Sequence, residues 1–210
     1  ADFPALLDDI WQWLGEPRYE LAAPQAEPAA KANNVDVLGP VTTKWDYQDG
    51  DGNLLACVYR FDPPDGKQFR PWDVLARKMK APSPRPLYNQ PGMRAVEEVI
   101  LVEGEKAADA LIGLGICATT AMNGAGAPVE KTDWSPLMGK RVLIWPDKDA
   151  PGWQYAEATA QAMLDAGAVL VAILLPPDDK PEKWDAADAV DGGMDVAAFI
   201  ATAERQSIAP

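Results

Sequence analysis

Histidine is absent from the 210-residue chain. Without an imidazole, Ser-His-Asp and Cys-His nucleophilic chemistry is excluded, and so is the nitrogen ligand that most zinc and copper centres use. Cysteine is nearly absent. Cys57 and Cys117 lie far apart in apolar runs, form no CxxC pair and therefore no zinc ribbon, and are expected as buried free thiols. No apolar run reaches the length of about 18 residues that a membrane-spanning helix needs, and no basic-then-apolar leader opens the chain. A cytoplasmic protein without membrane contact is expected. Neither a GxGxxG fingerprint nor a P-loop is present. Basic residues are scarce: 19 Lys and Arg stand against 32 Asp and Glu, a net charge of −13. Taken alone, that balance argues against a nucleic-acid binder.

The charge is unevenly spread. Between residues 67 and 94 lie seven cations (Lys67, Arg70, Arg77, Lys78, Lys80, Arg85 and Arg94) and a single acid, Asp73. That segment carries +6, which leaves −19 on the rest. A solvated surface face accounts for such a strip as readily as a phosphate-binding one, but its neighbourhood to an acidic site suits an enzyme that handles polyphosphates.

At 48% hydrophobic residues, the composition supports a packed core, with room for one domain and a smaller companion. The chain starts at Ala1 rather than methionine, and a piece of a longer protein is expected. Residues 3–14 have helical spacing of Phe3, Leu6, Leu7, Ile10, Trp11 and Leu14, and the Ala/Pro-rich stretch over 21–40 has the composition of a linker. A helix and linker are thus expected over residues 1–40. From 41 to 95 a small β-rich subdomain is expected. Strand-like runs at Val41–Tyr47, Leu54–Phe61 and Lys67–Pro71 are joined by Asp-Gly turns, and a proline-rich crossing follows over 81–92. Asp49-Gly-Asp-Gly52 lacks the further oxygen ligands of a calcium loop and is expected as a turn. Trp45 and Trp72 are expected in or near the core.

Beyond residue 96, apolar runs at Val99–Val102, Ile116–Thr120, Val142–Trp145 and Ala168–Leu175 alternate with helical stretches at 106–114 and 151–166. Shorter helices are expected near 185–190 and 195–204. This alternation predicts an α/β domain over 96–205: a mostly parallel four-stranded sheet with helices on both faces.

Two of these strands end in carboxylates. The first run exits through Glu103-Gly-Glu-Lys106, the third through Asp147-Lys-Asp149. If the two strands are neighbours, Glu103, Asp147 and Asp149 converge at the carboxyl edge of the sheet, where open α/β sheets place their ligands. In extended backbone, Asp147 and Asp149 would point the same way. Hard oxygen donors without histidine suggest magnesium. Alternatively, Asp147 and Asp149 are acids favoured by the following helix dipole, and Glu103 or Glu105 caps a helix. Lys106 is unfavourably placed in a first helical turn unless an anion lies nearby. Asn123-Gly-Ala-Gly126 follows the second strand and allows close backbone approach to a ligand, or is simply a loop.

The joint order of strand–Glu103-Gly-Glu-Lys106, glycine loop and strand–Asp147-Lys-Asp-Ala-Pro-Gly152 resembles the Toprim domain of bacterial-type DNA primases, type IA and II topoisomerases and several nucleases. In detail it is most similar to phage and plasmid primases and primase-helicases. Lys183-Trp-Asp-Ala-Ala-Asp-Ala189 resembles their downstream acidic motif, and Arg85-Pro-Leu-Tyr88 the segment leading into Toprim. The resemblance spans roughly residues 40–200. It implies a primase core joining nucleotides on single-stranded DNA, with Glu103 as catalytic acid/base. Asp147 and Asp149 would bind magnesium, for which manganese substitutes, and Asp185 or Asp188 would add a further ligand. Lys106, Arg70, Lys78, Lys80, Arg85, Asn123 and Gly124 would bind nucleotide or DNA phosphates. The implied partners are nucleoside triphosphates, a single-stranded template, and a helicase or zinc-binding domain in the full-length protein or in trans. A Toprim nuclease or strand-cleaving enzyme, or a non-catalytic nucleotide- or DNA-binding module, are the rival expectations.

Overall fold

The computed structural model describes residues 38–208, which belong to one compact unit. The helix expected over 3–14, and all but the last three residues of the linker, lie outside the described residues. Strands β1 (Val41–Gln48), β2 (Leu54–Phe61) and β3 (Gln68–Asp73) form an antiparallel meander. At the first turn Asp49 Oδ1 accepts the N–H groups of Asp51 and Asn53, both at 2.9 Å. Its carboxylate is therefore occupied by the turn, as expected for Asp-Gly chemistry. Strand alternation puts Trp45, Tyr47, Ala56 and Val58 on one buried face.

The proline-rich crossing contains one helical turn, α1 (Gln90–Met93). Then follow β4 (Glu98–Leu101), α2 (Glu105–Gly113), β5 (Ala118–Thr119), β6 (Arg141–Ile144), α3 (Ala150–Asp165), β7 (Leu170–Leu174), α4 (Ala186–Asp191), α5 (Val196–Thr202) and β8 (Arg205–Ile208). Three short 3-10 turns fill the long β5–β6 connection, the first at Gly124–Gly126. The second sheet has the order β5-β4-β6-β7-β8. Its first four strands are parallel, and β8 pairs antiparallel with β7.

Both faces of this sheet are covered. Val99, Leu101, Val142, Ile144, Val171 and Ile173 meet Tyr155, Ala156, Ala160 and Met163 of α3. The alternate residues Ile100, Val102, Leu143, Trp145, Ala172 and Leu174 meet Ala107, Ala108 and Leu111 of α2 and the alanines of α4. Burial on two faces is why these strands read as continuous apolar runs, and each fully buried aliphatic side chain contributes about 1.5–3 kcal/mol. The fold is therefore the expected mostly parallel α/β sheet preceded by a small β sheet, with five strands rather than four. The added strand β8 ends at Ile208, three residues past the expected limit. Arg205, Gln206 and Ser207 are exposed, so an edge strand of this kind has no apolar run to announce it. Cys57 is buried and Cys117 partly buried, and both are free. No helix among the described residues is long and apolar enough to cross a membrane.

Candidate active site

β4 and β6 are adjacent and parallel, with Leu101 opposite Ile144. From β4 the chain crosses to β5 on one side, and from β6 to β7 on the other. The carboxyl ends of β4 and β6 thus flank the crevice where the strand order diverges, the ligand-binding position of open α/β sheets. Glu103 and Asp147 emerge at this point. Glu103 Oε1 accepts the backbone N–H of Asp147 at 3.1 Å.

Two glycines make this closeness sterically feasible. A side chain on Gly152, in the first turn of α3, would collide with Glu103 Oε1 and the Asp147 carbonyl. Gly124 has φ +53°, and a side chain there would collide with the Glu103 carbonyl. The glycine loop after β5 is thus packed against the backbone of Glu103.

Charge crowds the crevice. Burial raises the Glu103 carboxyl above its usual range, the Asp147 N–H opposes that shift, and Asp149 and Asp185 add to it. Asp147 is pushed up to about 7, first by burial and then by Glu103, Asp185, Asp149 and Asp188. Both are half-buried acids with negative neighbours, as proton-transfer and cation-binding groups often are.

The chain turns sharply between the two aspartates of the second motif. Asp149 N–H donates to the Asp147 carbonyl at 2.7 Å, a bond between residues i and i+2. This corrects the extended, same-side arrangement expected for the pair. Asp149 is the N-cap of α3 and accepts the Gly152 N–H at 2.8 Å. Neither Glu103 nor Glu105 caps α2, whose N-cap is Gly104. Asp185 N-caps α4, accepting the Asp188 N–H at 2.8 Å, while Asp188 accepts the Asp185 N–H at 3.3 Å. Each carboxylate gives one oxygen to this reciprocal cap, and of the two only Asp185 lines the crevice.

The crevice opens into a cavity of about 580 Å³, within the range of small-molecule sites. One wall carries Glu103, Asp147, Asp185, Lys106 and residues 123–126, and the facing wall is the β1–β3 sheet with Trp45, Val58, Arg60, Lys67 and Phe69. Among the expected phosphate-binding residues, the structure brings Lys106, Asn123 and Gly124 to the cavity. Arg70, Lys78, Lys80 and Arg85 lie outside its lining. Arg70 follows Phe69 on β3 and alternates away, donating to Gln68 Oε1 at 2.6 Å. Lys80 pairs with Asp73 at 3.4 Å, and Arg85 reaches the Met122 carbonyl at 3.5 Å. Arg60 and Phe69 were not singled out by sequence reasoning, and Lys67 entered only as one cation of the basic strip. Their signal lay in the alternation through Arg60 and Phe69, which sit opposite each other across β2 and β3. Among the described residues, no three His, Cys, Asp or Glu side chains converge into a closed metal-ligand set.

No protein-family model and no curated protein matches the chain. Solved structures do. A chain in the structure of bacteriophage T7 lagging-strand DNA polymerase interacting with primase domains of two gp4 subunits bound to an RNA/DNA hybrid and dTTP aligns with a TM-score of 0.57. The identity is 14%, and the match covers 78% of each chain. The Aquifex aeolicus primase zinc-binding and RNA polymerase domains align with a TM-score of 0.59 and 17% identity over 77% of this chain. A DNA primase domain from Pseudomonas aeruginosa gives a TM-score of 0.55 at 19% identity over 78% of this chain. The matched region spans 40% and 51% of those last two chains. The fold is that of DNA primase catalytic cores.

Proposed function

We propose that this chain is the Toprim-type catalytic core of a DNA primase, making primers from nucleoside triphosphates on single-stranded DNA in phage or plasmid replication in the cytoplasm. The observation that carries this reading is the meeting of Glu103 and Asp147 at the diverging ends of β4 and β6. A cavity with cations and aromatic rings on its far wall opens directly in front of them. The residue order that resembles Toprim primases and the fold of the neighbours support the same assignment.

The donor chemistry fits magnesium, or manganese in its place. The crevice offers hard carboxylate oxygens, burial and then repulsion among them raise Asp147 to about 7, and a divalent cation would relieve that repulsion. Asp147 would be the principal ligand, with Asp185 beside it in the crevice lining and the charge of Asp149 felt at Asp147 adding to the same field. Magnesium takes one or two carboxylates and completes its shell with water and phosphate oxygens, so the few carboxylates of the crevice would suffice. Bound there, the cation would neutralise triphosphate charge.

In nucleotidyl transfer, a 3′-hydroxyl oxygen attacks the α-phosphorus of the incoming nucleotide, the bond to pyrophosphate breaks, and the hydroxyl proton must leave. Glu103 is placed to accept that proton. Its raised pKa brings it closer to the working pH than an exposed glutamate would be. The Asp147 N–H fixes one of its oxygens. Lys106, Lys67 and Arg60 face the cavity as phosphate-attracting charges. A helicase or zinc-binding domain, in the full-length protein or in trans, would supply template selection.

Radiolabelled primer synthesis on single-stranded DNA tests the reading. Template-dependent products that require magnesium and vanish in Glu103→Gln are expected. Cleavage of labelled DNA without nucleotides would instead identify a Toprim nuclease or strand-cleaving enzyme. Nucleotide or DNA binding without either activity would identify a binding module.

A further inference from the structure

We infer that Lys148 is a positioning residue: it locks the loop carrying Asp185, so that this carboxylate faces Asp147 across the crevice. The inference rests on the reading of the crevice as a cation site. Lys148 lies between the two aspartates of its motif, where a lysine would ordinarily serve as their counter-charge or as a phosphate ligand. The structure turns it elsewhere. Its Nζ donates to the carbonyls of Pro177 at 2.7 Å, Asp178 at 2.8 Å and Lys180 at 2.6 Å. These three bonds use all three ammonium protons.

The main chain adds two more ties. Lys148 N–H donates to the Trp184 carbonyl at 2.9 Å, and Lys183 N–H donates to the Lys148 carbonyl at 3.0 Å. Five hydrogen bonds therefore join one residue to the segment 177–184. The following side chain gives a second anchorage. Trp184 is buried, with ring centroids 5.6 Å from Trp145, just past β6, and 6.1 Å from Phe199 of α5. Asp185 comes next and lines the crevice. Three carbonyls converging on one point suit a compact ammonium. The planar fork of a guanidinium cannot reproduce that geometry.

The consequence for the site is specific. Because Lys148 Nζ is turned onto backbone carbonyls, it forms no ion pair with the crevice acids while it fixes the loop that carries Asp185. Positioning and simple electrostatics then predict opposite outcomes. Removing a positive charge beside an acidic site should tighten cation binding by Coulomb's law. Removing a residue that orients a ligand should weaken it, by about 10-fold or more for the outer contacts of metal sites.

The test is manganese binding to the full chain, read by the loss of the free-ion electron paramagnetic resonance signal. Lys148→Met is expected to weaken binding about 10-fold, and Lys148→Arg is expected not to restore it. Asp185→Asn should weaken binding comparably, and the double variant should bind no worse than Asp185→Asn alone, because both changes act through one carboxylate. Unchanged or tighter binding by Lys148→Met would overturn the inference and leave the cation site standing. A wild-type protein that binds no manganese would overturn the cation reading and the inference with it. If Lys148→Met does not fold, amine labelling of the folded wild type decides. Lys148 should label more slowly than the exposed Lys183, and manganese should slow it further, as reciprocity between the clamp and the site requires. Labelling of Lys148 at the rate of Lys183, or indifference to manganese, would overturn the proposal.

Discussion

Two pairs of carboxylates lie within one short stretch of chain and its surroundings, and they are treated in opposite ways. Glu105 and Asp109, on α2, are satisfied by neutral donors from the small sheet and the crossing segment. Tyr47 O–H donates to Glu105 at 2.7 Å, while Trp45 Nε1–H and Tyr88 O–H each donate to Asp109 at 2.8 Å. Glu103, two residues earlier, and Asp147, just past the neighbouring strand β6, face other acids across an open cavity, and among the described residues the one donor between them is a backbone N–H. Buried polar groups that are fully paired hold a structure together, and those left short of partners are available to a ligand. Glu105 and Asp109 bind α2 to the β1–β3 sheet and the crossing segment, whereas Glu103 and Asp147 have no such side-chain donors among the described residues.

The largest expected effect comes from the unpartnered pair. Glu103→Gln keeps the shape and the Asp147 N–H acceptor but removes the base. Primer synthesis should fall by about 100-fold or more, with little change in thermal stability, as a steady-state assay and a melting curve would show. Gly152→Ala attacks the same pair by shape. The new methyl group meets Glu103 Oε1 and the Asp147 carbonyl. We expect a loss of about 1–3 kcal/mol in urea unfolding, the usual cost of overpacking, together with a strong loss of activity.

The satisfied pair should respond in stability and not in chemistry. Tyr47→Phe leaves Glu105 buried without its donor and should cost about 1–3 kcal/mol near neutral pH. The pH dependence follows from the direction of the Glu105 shift. Burial raises its carboxyl above 4.5 and the Tyr47 O–H opposes that. Folded Glu105 therefore holds its proton to higher pH than the unfolded chain does. Its contribution to stability is fully present below 4.5 and is lost as pH rises through the folded value. Tyr47→Phe raises that value further, so the deficit relative to wild type should be small in acid and grow towards neutral pH.

Asp147→Asn should have the opposite sign. Asp147 is raised from 3.8 to about 7 in the fold, so its charge opposes folding most strongly above pH 7. In metal-free buffer at pH 8 the variant should be more stable by about 1 kcal/mol after allowing for solvent screening, and the gain should disappear below pH 4. Tyr88→Phe, which removes one of two donors to the exposed Asp109, should cost least, about 0.5–1 kcal/mol. Denaturant titrations across pH would check all three.

The sheet was legible because it is buried on both faces. A short, unbroken apolar run such as Val99–Val102 is the mark of a strand covered on both sides. The neighbouring of β4 and β6 stood only as a condition in the sequence reading, and the register of Leu101 opposite Ile144 meets it. Asp149 at the start of α3 was open to reading as a helix-favoured acid, and its side chain caps that helix, whereas the turn at Lys148 depends on a single backbone hydrogen bond that no residue pattern specifies. The cavity wall was missed for a different reason. Which side of β3 faces the crevice depends on how the meander docks, so Arg70 was selected by its charge when Lys67 and Phe69 line the site. The exposed polar strand β8 carries no hydrophobic signal at all.

On this reading Asp147 is left short of partners to receive a cation, and Glu103 beside it to take up a proton. Anomalous diffraction from crystals soaked in manganese tests it most directly. The account predicts a peak within coordination distance of the Asp147 carboxylate, in the crevice beside Glu103. A peak confined to Glu105, Asp109 or the outer surface, or no bound manganese at saturating concentration, would contradict it.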